Sequence, residues 1–403
     1  MNLDDNQKKA GALGLLRKLQ QKSVAKTIKS IDWSKGSSNP IVVELDPTTV
    51  CNLACPDCIS RDLLNHGFFS RDRFRKLAEE LVDAGVRAVV LIGGGEPLMH
   101  PEIEWVIRWL GENGVKIGIT TNGILLQKYI DVISEYASWV RVSMDAGTTK
   151  TFNIIRPSRS GFSQFEKIIE NMRNFSRLKK GILGYSFMIY SEGKFRPNAG
   201  LNSLDDYNML KEHEDQSEII RTSEEHFFTN AGEIYTAACL AKDVGCDYFE
   251  VKPMYNKYHF IIEQNKEFVG MISQQLDDIQ NLVTDTFKVL EATKLRDSLS
   301  GKGDVEKKEY TRCSISQLRT LVTPSGVYVC PYFRGREDKK IGDVNKMSFS
   351  DMWNGQERER VMSRLNPSVD CKMHCIRHFS NLMLEDAISG KHFDTIDDFD
   401  LFI

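Results

Sequence analysis

Ile41-Val42-Val43-Glu44-Leu45-Asp46, with Cys51-Asn52-Leu53-Ala54-Cys55-Pro56-Asp57-Cys58 close behind it, is the stretch that sets the reading of this chain. The first six residues read as a β-strand that ends just before the cysteines. Cys51, Cys55 and Cys58 then place three thiols within eight residues. Thiolates so spaced suit three irons of a cubane 4Fe–4S cluster and leave the fourth iron open to a small molecule. Zinc is the alternative, but a structural zinc site takes four ligands, usually as two separated pairs. A disulfide framework suits small secreted chains, whereas this chain has 403 residues and nine cysteines. The stretch from Met1 to Lys9 is polar, with no apolar signal core. The thiols are thus expected to stay reduced, in a cytoplasmic protein, and free to bind metal.

Downstream of this loop, strand and helix signals alternate. Residues 70–84 read as a helix with Leu77, Leu81 and Val82 on one face, and Arg87–Ile92 as a short buried strand. Further helices are expected over 100–112, 127–136, 161–176 and 231–243, and strands over Val115–Thr120, Trp139–Met144, Ile182–Ile189 and Tyr248–Lys252. Alternation of this kind predicts parallel βαβ units. Six of them give an α/β fold, a partial (βα)6 TIM-like barrel, with chemistry gathered at the C-terminal ends of the strands. Charged residues make up 27% of the chain and the net charge is −3, so no nucleic-acid partner is expected. Apolar content of 41% supports a sizeable core, and the absence of a long apolar run predicts no membrane span.

Polar and glycine-rich elements recur on the predicted rim. Gly93-Gly94-Gly95-Glu96-Pro97 follows the second strand, Thr121-Asn122-Gly123 the third, and Ser143 and Asp145 end the fourth. One such turn is ordinary loop chemistry; three in register with a cysteine cluster are not. Together, the Cys-x3-Cys-x2-Cys loop and Gly94-Gly95-Glu96-Pro97 resemble the signature of the radical S-adenosylmethionine (radical SAM) superfamily, over residues 41–255. The resemblance implies that the glycine motif contacts the SAM amino group, that Asn122, Ser143 and Asp145 lie near its ribose and methionine, and that Arg156 reaches its carboxylate. An ordinary surface arginine is the alternative for Arg156. Asp57 departs from the family, which usually has an aromatic residue there to pack on adenine; residues near Ile189 or Val251 are expected to hold adenine instead. The implied chemistry is reductive cleavage of SAM to a 5′-deoxyadenosyl radical that removes a hydrogen atom from a substrate. A flavodoxin or ferredoxin is the electron donor the family implies.

Four later cysteines, Cys313, Cys330, Cys371 and Cys375, bracket a predicted hairpin (Arg319–Val322 and Val327–Val329 around Thr323-Pro324-Ser325-Gly326). This layout resembles the short auxiliary-cluster domain called Twitch, related to the longer SPASM domain. The resemblance implies a second, fully ligated 4Fe–4S cluster; structural zinc is the alternative. The domain reading is then a helical extension over 1–40, the barrel over 41–255 with an insertion at 191–230, a helical bridge over 256–312 (its long helix over 263–297), the auxiliary domain over 313–380 and a tail over 381–403. The extension carries Leu13, Leu15, Leu16, Leu19, Val24 and Ile28, a set that suits a helix docked on the barrel. The insertion is either a cover for the substrate or a solvated loop, and the tail either frays or plugs the barrel. Cys239 and Cys246 read as core residues or as hydrogen-atom donors. His374 and His378 are spare ligands at most, and His100 starts a helix.

The single auxiliary cluster resembles the family members that act on small polar molecules such as sugars and aminocyclitols. The expected reaction is oxidation of a carbinol, with the auxiliary cluster accepting the second electron. Alternatives are a radical epimerase, a peptide- or protein-modifying maturase, and a non-catalytic iron–sulfur electron carrier.

Overall fold

The computed structural model describes residues 15–192, 220–222, 225–254, 266–302, 306–391 and 394–403. In chain order its strands are Val42–Leu45 (β1), Ala88–Leu91 (β2), Lys116–Thr121 (β3), Ala137–Ser143 (β4), Ile182–Ile189 (β5), Ser191–Glu192 (β6), Ile220–Thr222 (β7), Glu225–Thr229 (β8), Tyr248–Pro253 (β9), Lys288–Glu291 (β10), Arg319–Thr323 (β11), Gly326–Tyr328 (β12) and Lys340–Gly342 (β13). Ten of these form one sheet in the order β10-β9-β5-β4-β3-β2-β1-β11-β12-β13. The pairs from β10 to β11 are parallel, and those from β11 to β13 antiparallel. The sheet is an open arc, a partial barrel.

β1 is buried along its whole length and has partners on both sides. Its residues alternate in address. Val43 and Leu45 pack outward with Phe74, Leu77, Leu81 and Ile107 of the surrounding helices, while Val42 and Glu44 face the lumen. The helix Arg71–Asp83 shows why the local sequence folds as it does. The Ser70 hydroxyl caps it by accepting from the Arg73 N–H at 3.2 Å. Phe74, Leu77, Ala78 and Leu81 repeat at helical spacing and are buried. Gly85, at φ +73°, ends it and lets the chain turn into β2.

Two departures from expectation enlarge the barrel. The stretch 263–297 is not one helix. Lys266–Gln280 and Leu295–Leu299 are helical, and between them β10 pairs in parallel with β9. Without β10, the backbone groups along that edge of β9 would form an open template for pairing. The bridge over 256–312 is therefore a further βα unit, with 255–265 lying outside the described residues. Second, β11, the first strand of the expected hairpin, pairs with β1 in register Val42↔Arg319 to Leu45↔Val322. The auxiliary region thus extends the barrel sheet, and eight parallel strands replace the expected six. The extra helix Thr149–Ile155 also lies between β4 and the helix Phe165–Leu178.

The N-terminal helix Lys22–Ser30 docks on the barrel through Val24, Ala25 and Ile28. Leu19, Val24 and Ile28 pack against Val42, Ala88, Leu384, Phe402 and Ile403; the side chains of Leu13, Leu15 and Leu16 lie outside the described residues. The tail plugs the lumen at the N-terminal ends of the strands. Phe402 sets its edge on Trp139 at 5.4 Å, and Asp400 pairs with Lys18 at 3.0 Å. The buried side-chain amide oxygen (Oε1) of Gln21 accepts from the N–H groups of Phe399 and Asp400. Of the insertion, β6, β8 and β7 form a small antiparallel sheet, and 193–219 and 223–224 lie outside the described residues. No described helix is long and apolar enough to cross a membrane.

Candidate functional site: two cysteine clusters on one lumen

Cys51, Cys55 and Cys58 sit in the loop after β1, each partly exposed. The loop is braced from outside: the Ala54 N–H donates to the Pro157 carbonyl at 2.8 Å, and the Arg159 N–H to the Asn52 carbonyl at 3.2 Å. From inside, the glycine loop closes on it, with the Gly95 N–H on the Thr48 carbonyl and the Glu96 N–H on the Val50 carbonyl. Gly95 must be glycine, because a Cβ there would lie 2.3 Å from the Val50 carbonyl oxygen. Gly94 is less tightly held, with Thr49 3.3 Å from the same point, and Pro97 opens a short 3-10 turn to Met99.

Glu96 does not point into open space. One carboxylate oxygen accepts from the Thr121 hydroxyl at 2.6 Å and the Leu98 N–H at 3.1 Å, the other from the Asn122 N–H at 2.8 Å. It is a strut between the β2 and β3 loops, and burial pushes its carboxyl up to about 7 despite those donors. Three of its acceptor sites are thereby taken by protein donors. Asn122 does reach the cysteine loop, donating to the Asn52 carbonyl oxygen of the side chain at 2.7 Å, with Cys51 Sγ 4.0 Å away.

Ser143 ends β4, half-buried, opposite Ser186 of β5. Asp145 is buried with φ +56°, a conformation that a non-glycine residue holds only when its surroundings impose it. Those surroundings are visible. Asp145 accepts from the Met188 N–H at 2.8 Å and from Nε of Arg156 at 2.9 Å, with Arg156 Nη2 also bonded. Asn230 donates to the carbonyls of Asp145 and Met188. Burial opposes the charge of Arg156, but Asp145 outweighs it and holds the guanidinium above its ordinary range. Arg156 Nη1 lies 3.8 Å from Cys55 Sγ. Arg156 is thus no surface arginine; it bridges Asp145 to the cysteine loop. Ile189 and Val251 are fully buried in the outer core and do not face the lumen. Their neighbours Met188 and Tyr190 form the apolar group at this rim, with Met254 and Ile155.

Cys313, Cys330, Cys371 and Cys375 come together at the other side of the lumen. Asn381 Nδ2 lies 3.7 Å from Cys313 Sγ. Burial pushes Cys313 up to about 11 and Cys371 up to about 12, and the neighbouring thiols add to both shifts. In the first loop, burial likewise pushes Cys51 up to about 11 and Cys55 up to about 12. Such thiols are neutral on their own; a cationic metal core converts them to thiolate ligands. Among the described residues no three Cys, His, Asp or Glu side chains close on a single-ion site. In an iron–sulfur cluster each thiolate meets its own iron, so the all-thiol donor sets fit that group.

A cavity of about 1920 Å³ joins the two sets, with Cys58 on one wall and the four later cysteines on another. Between them stand residues that the sequence reading passed over. Arg141 of β4 donates to Glu250 of β9 at 3.3 Å, and Lys252 pairs with the same carboxylate oxygen at 3.4 Å. Burial opposes ionisation of Glu250, but Lys252 and Arg141 outweigh it and hold the carboxyl at about 2. A signal was available: Glu250 and Lys252 are charges at alternate positions of a strand whose intervening residues are apolar. Arg334 was also missed. It donates to the Ser60 hydroxyl at 2.8 Å and pairs with the buried Asp46 at 2.8 Å, tying the auxiliary region to the end of β1. Cys246 is in the outer core and Cys239 lies on the helix Ile234–Asp243; neither lines the cavity. His100 bonds the Phe69 carbonyl at 2.8 Å and starts its helix, as expected. His374 lines the cavity, and His378 meets the Tyr310 hydroxyl at 3.2 Å.

Comparison with known proteins agrees with this geometry. Residues 45–193 match the radical SAM superfamily, and residues 313–376 an iron–sulfur cluster-binding domain of the SPASM type. A GTP 3′,8-cyclase of Synechocystis is 34% identical over 113 residues, which is 27% of this chain and 34% of that protein. The antilisterial bacteriocin subtilosin biosynthesis protein AlbA of Bacillus subtilis is 28% identical over 137 residues, 32% of this chain and 30% of that protein. The chain spans about a third of the length of these curated relatives. The solved structure of Streptococcus suis SuiB has the same fold, with a TM-score of 0.56 at 14% identity, over 85% of this chain and 72% of that one. With its SAM-type domain taking SAM and a 4Fe–4S cluster, and its SPASM domain an auxiliary iron–sulfur centre, this chain is a member of the radical SAM superfamily.

Proposed function

We propose that this radical SAM enzyme oxidises a carbinol of a small polar substrate, of sugar or aminocyclitol type, held in the lumen between two clusters. Cys51, Cys55 and Cys58 are the ligands of the SAM-binding cluster in this reading, and Cys313, Cys330, Cys371 and Cys375 those of a single auxiliary cluster. When bound, SAM and its cluster supply hydrogen-atom abstraction, and the auxiliary cluster supplies a one-electron acceptor.

The observation that carries the reading is the continuous cavity from Cys58 to the later cysteines, with Arg141, Glu250 and Lys252 on its wall. Its volume exceeds an ordinary ligand pocket of ~300–1,000 Å³, but SAM and the clusters draw on the same space. The chain's own residues have distinct tasks. Gly94 and Gly95 bring the backbone close to the cysteine loop, Asn122 and the Asp145–Arg156 pair organise the rim that receives SAM, and the Arg141–Glu250–Lys252 group orients polar substituents. The tail at Phe402 keeps bulk water out of the lumen's far end. Epimerisation through a cysteine donor is disfavoured, because Cys239 and Cys246 do not line the cavity.

A second reading, peptide modification, draws support from the partial likeness to the subtilosin biosynthesis protein. The small β6-β8-β7 sheet beside the rim offers edges to which an extended peptide can add.

The test is anaerobic purification and reconstitution, iron and sulfide analysis, and assay of 5′-deoxyadenosine formed from SAM under dithionite. About eight irons per chain with deoxyadenosine formation is expected, and Cys55→Ala is expected to abolish cleavage while sparing the auxiliary irons. Cleavage that persists in Cys55→Ala overturns the assignment. A flavodoxin or ferredoxin is the physiological donor in this reading.

A further inference from the structure

We propose that Lys308 and Arg377 are built-in counter-charges for the auxiliary cluster and raise its reduction potential. The inference rests on reading Cys313, Cys330, Cys371 and Cys375 as ligands of one cluster.

Lys308 is 4% exposed. Its ammonium donates to two carbonyls, those of Glu306 at 3.2 Å and Met373 at 2.7 Å, and pairs with no carboxylate among the described residues. Met373 lies between Cys371 and Cys375, so this cation sits against the ligand loop. Arg377 follows the same loop, and its backbone N–H donates to the Cys375 sulfur. Its Nε and Nη1 are buried and have no hydrogen-bond partner. The carboxylates nearby are already engaged: Glu306 by Lys294, Asp370 by Lys339, Asp400 by Lys18 and Glu44 by Arg319.

A buried cation without a counter-charge is strongly disfavoured, and a buried guanidinium with idle donors more so. The four thiols supply what is missing. An oxidised cubane held by four thiolates is a dianion, so two cations balance it. One-electron reduction adds a further negative charge, which the same two cations favour. Cations and N–H donors directed at cluster sulfurs raise the potential in this way. An auxiliary centre so placed is a good sink for the electron that leaves the substrate, which is what oxidation of a carbinol requires.

The test uses the full chain with Cys51, Cys55 and Cys58 replaced by alanine, reconstituted without oxygen so that the auxiliary cluster alone gives a signal. The midpoint potential is read by electron paramagnetic resonance during a dithionite titration. Lys308→Met and Arg377→Met are each expected to shift it to more negative values, the double variant further, with about four irons retained. The charge-conserving Lys308→Arg and Arg377→Lys are expected to keep the parent value. An unchanged midpoint in methionine variants that retain their irons overturns the proposal. Where the methionine variants fail to assemble a cluster, the charge-conserving pair decides. Assembly at the parent potential supports the proposal, and failure there too overturns it. The readout needs neither SAM nor substrate, so it is independent of whether the enzyme oxidises a carbinol. Absence of irons from the parent would instead refute the ligand reading itself.

Discussion

Replacing Arg334 by methionine removes the tie between the auxiliary region and the barrel rim, and its cost is expected to depend on pH. Arg334 pairs with Asp46 at 2.8 Å, donates to the Ser60 hydroxyl at 2.8 Å and lies 3.4 Å from the Gly93 carbonyl. Asp46 is 1% exposed. Removing one partner of such a buried pair leaves an uncompensated charge and costs about 3–5 kcal/mol. Burial already pushes the Asp46 carboxyl up from 3.8 to about 6, with Arg334 holding it back. The folded state therefore binds this proton more tightly than the unfolded chain does. The group's contribution is most favourable below pH 3.8 and falls as pH rises towards 6, by about 3 kcal/mol over that span. Without Arg334 the carboxyl rises further and stays protonated to higher pH. Arg334→Met is thus expected to cost little near pH 5 and the full amount near pH 8, measured by unfolding of the metal-free chain at both. In an Asp46→Asn background the same substitution is expected to cost only about 1 kcal/mol, the worth of its remaining hydrogen bonds. A loss at pH 8 within about 1 kcal/mol, as for an exposed pair, refutes the reasoning. So does an equal loss at both pH values.

Three further outcomes are expected. Gly95→Ala drives a Cβ to 2.3 Å from the Val50 carbonyl, so the cysteine loop must shift. Iron analysis should show loss of the first cluster's share and retention of the second. Cys330→Ala is expected to lose about half the iron yet keep some uncoupled SAM cleavage, because the two ligand sets are separate; retention of full iron refutes the second cluster. Phe402→Ala removes a buried ring that packs on Trp139. It is expected to cost about 3–5 kcal/mol in unfolding measurements, as for other buried aromatic truncations, whereas a frayed tail would lose almost nothing.

The legible part of the fold was the part written locally. Ile182–Ile189 is a strand over the expected residues because an apolar run broken only by Gly184 and Ser186 signals itself. The cysteine, glycine and Asn122 loops fall on one rim because strand–loop–helix order alone puts them there. What stayed hidden was pairing between distant segments. Nothing in Arg319–Thr323 announces β1 as its partner, and Lys288–Glu291 is too short to outweigh the helix pattern before it. The same holds at the site. Glu96 and Arg156 were found by position, but that Glu96 spends its carboxylate on Thr121 and Asn122 is decided by three loops meeting. Adenine was expected near Ile189 or Val251; the two-residue period of their strands turns these two side chains outward and leaves a neighbour such as Met188 on the other face.

The pairing of β11 with β1 bears most directly on function. β1 runs into Asp46 just past its end and leads to Cys51, while β11 turns through β12 into Cys330. The first cysteine loop therefore leaves β1, and Cys313 and Cys330 flank the hairpin whose first strand, β11, is the parallel neighbour of β1, fixed in register from Val42↔Arg319 to Leu45↔Val322. Arg334, four residues past Cys330, closes the far side onto Asp46 and Ser60. A second domain joined by a helical bridge would leave the separation of two centres to a hinge. Here backbone hydrogen bonds and a buried ion pair set it, and the lumen between the two cysteine sets has rigid walls. A radical enzyme benefits from such rigidity, because a substrate radical that waits for its electron acceptor has time to react elsewhere. On this argument the auxiliary region acts as the barrel's own closing wall, and loosening Arg334 should uncouple SAM cleavage from product before it unfolds the chain.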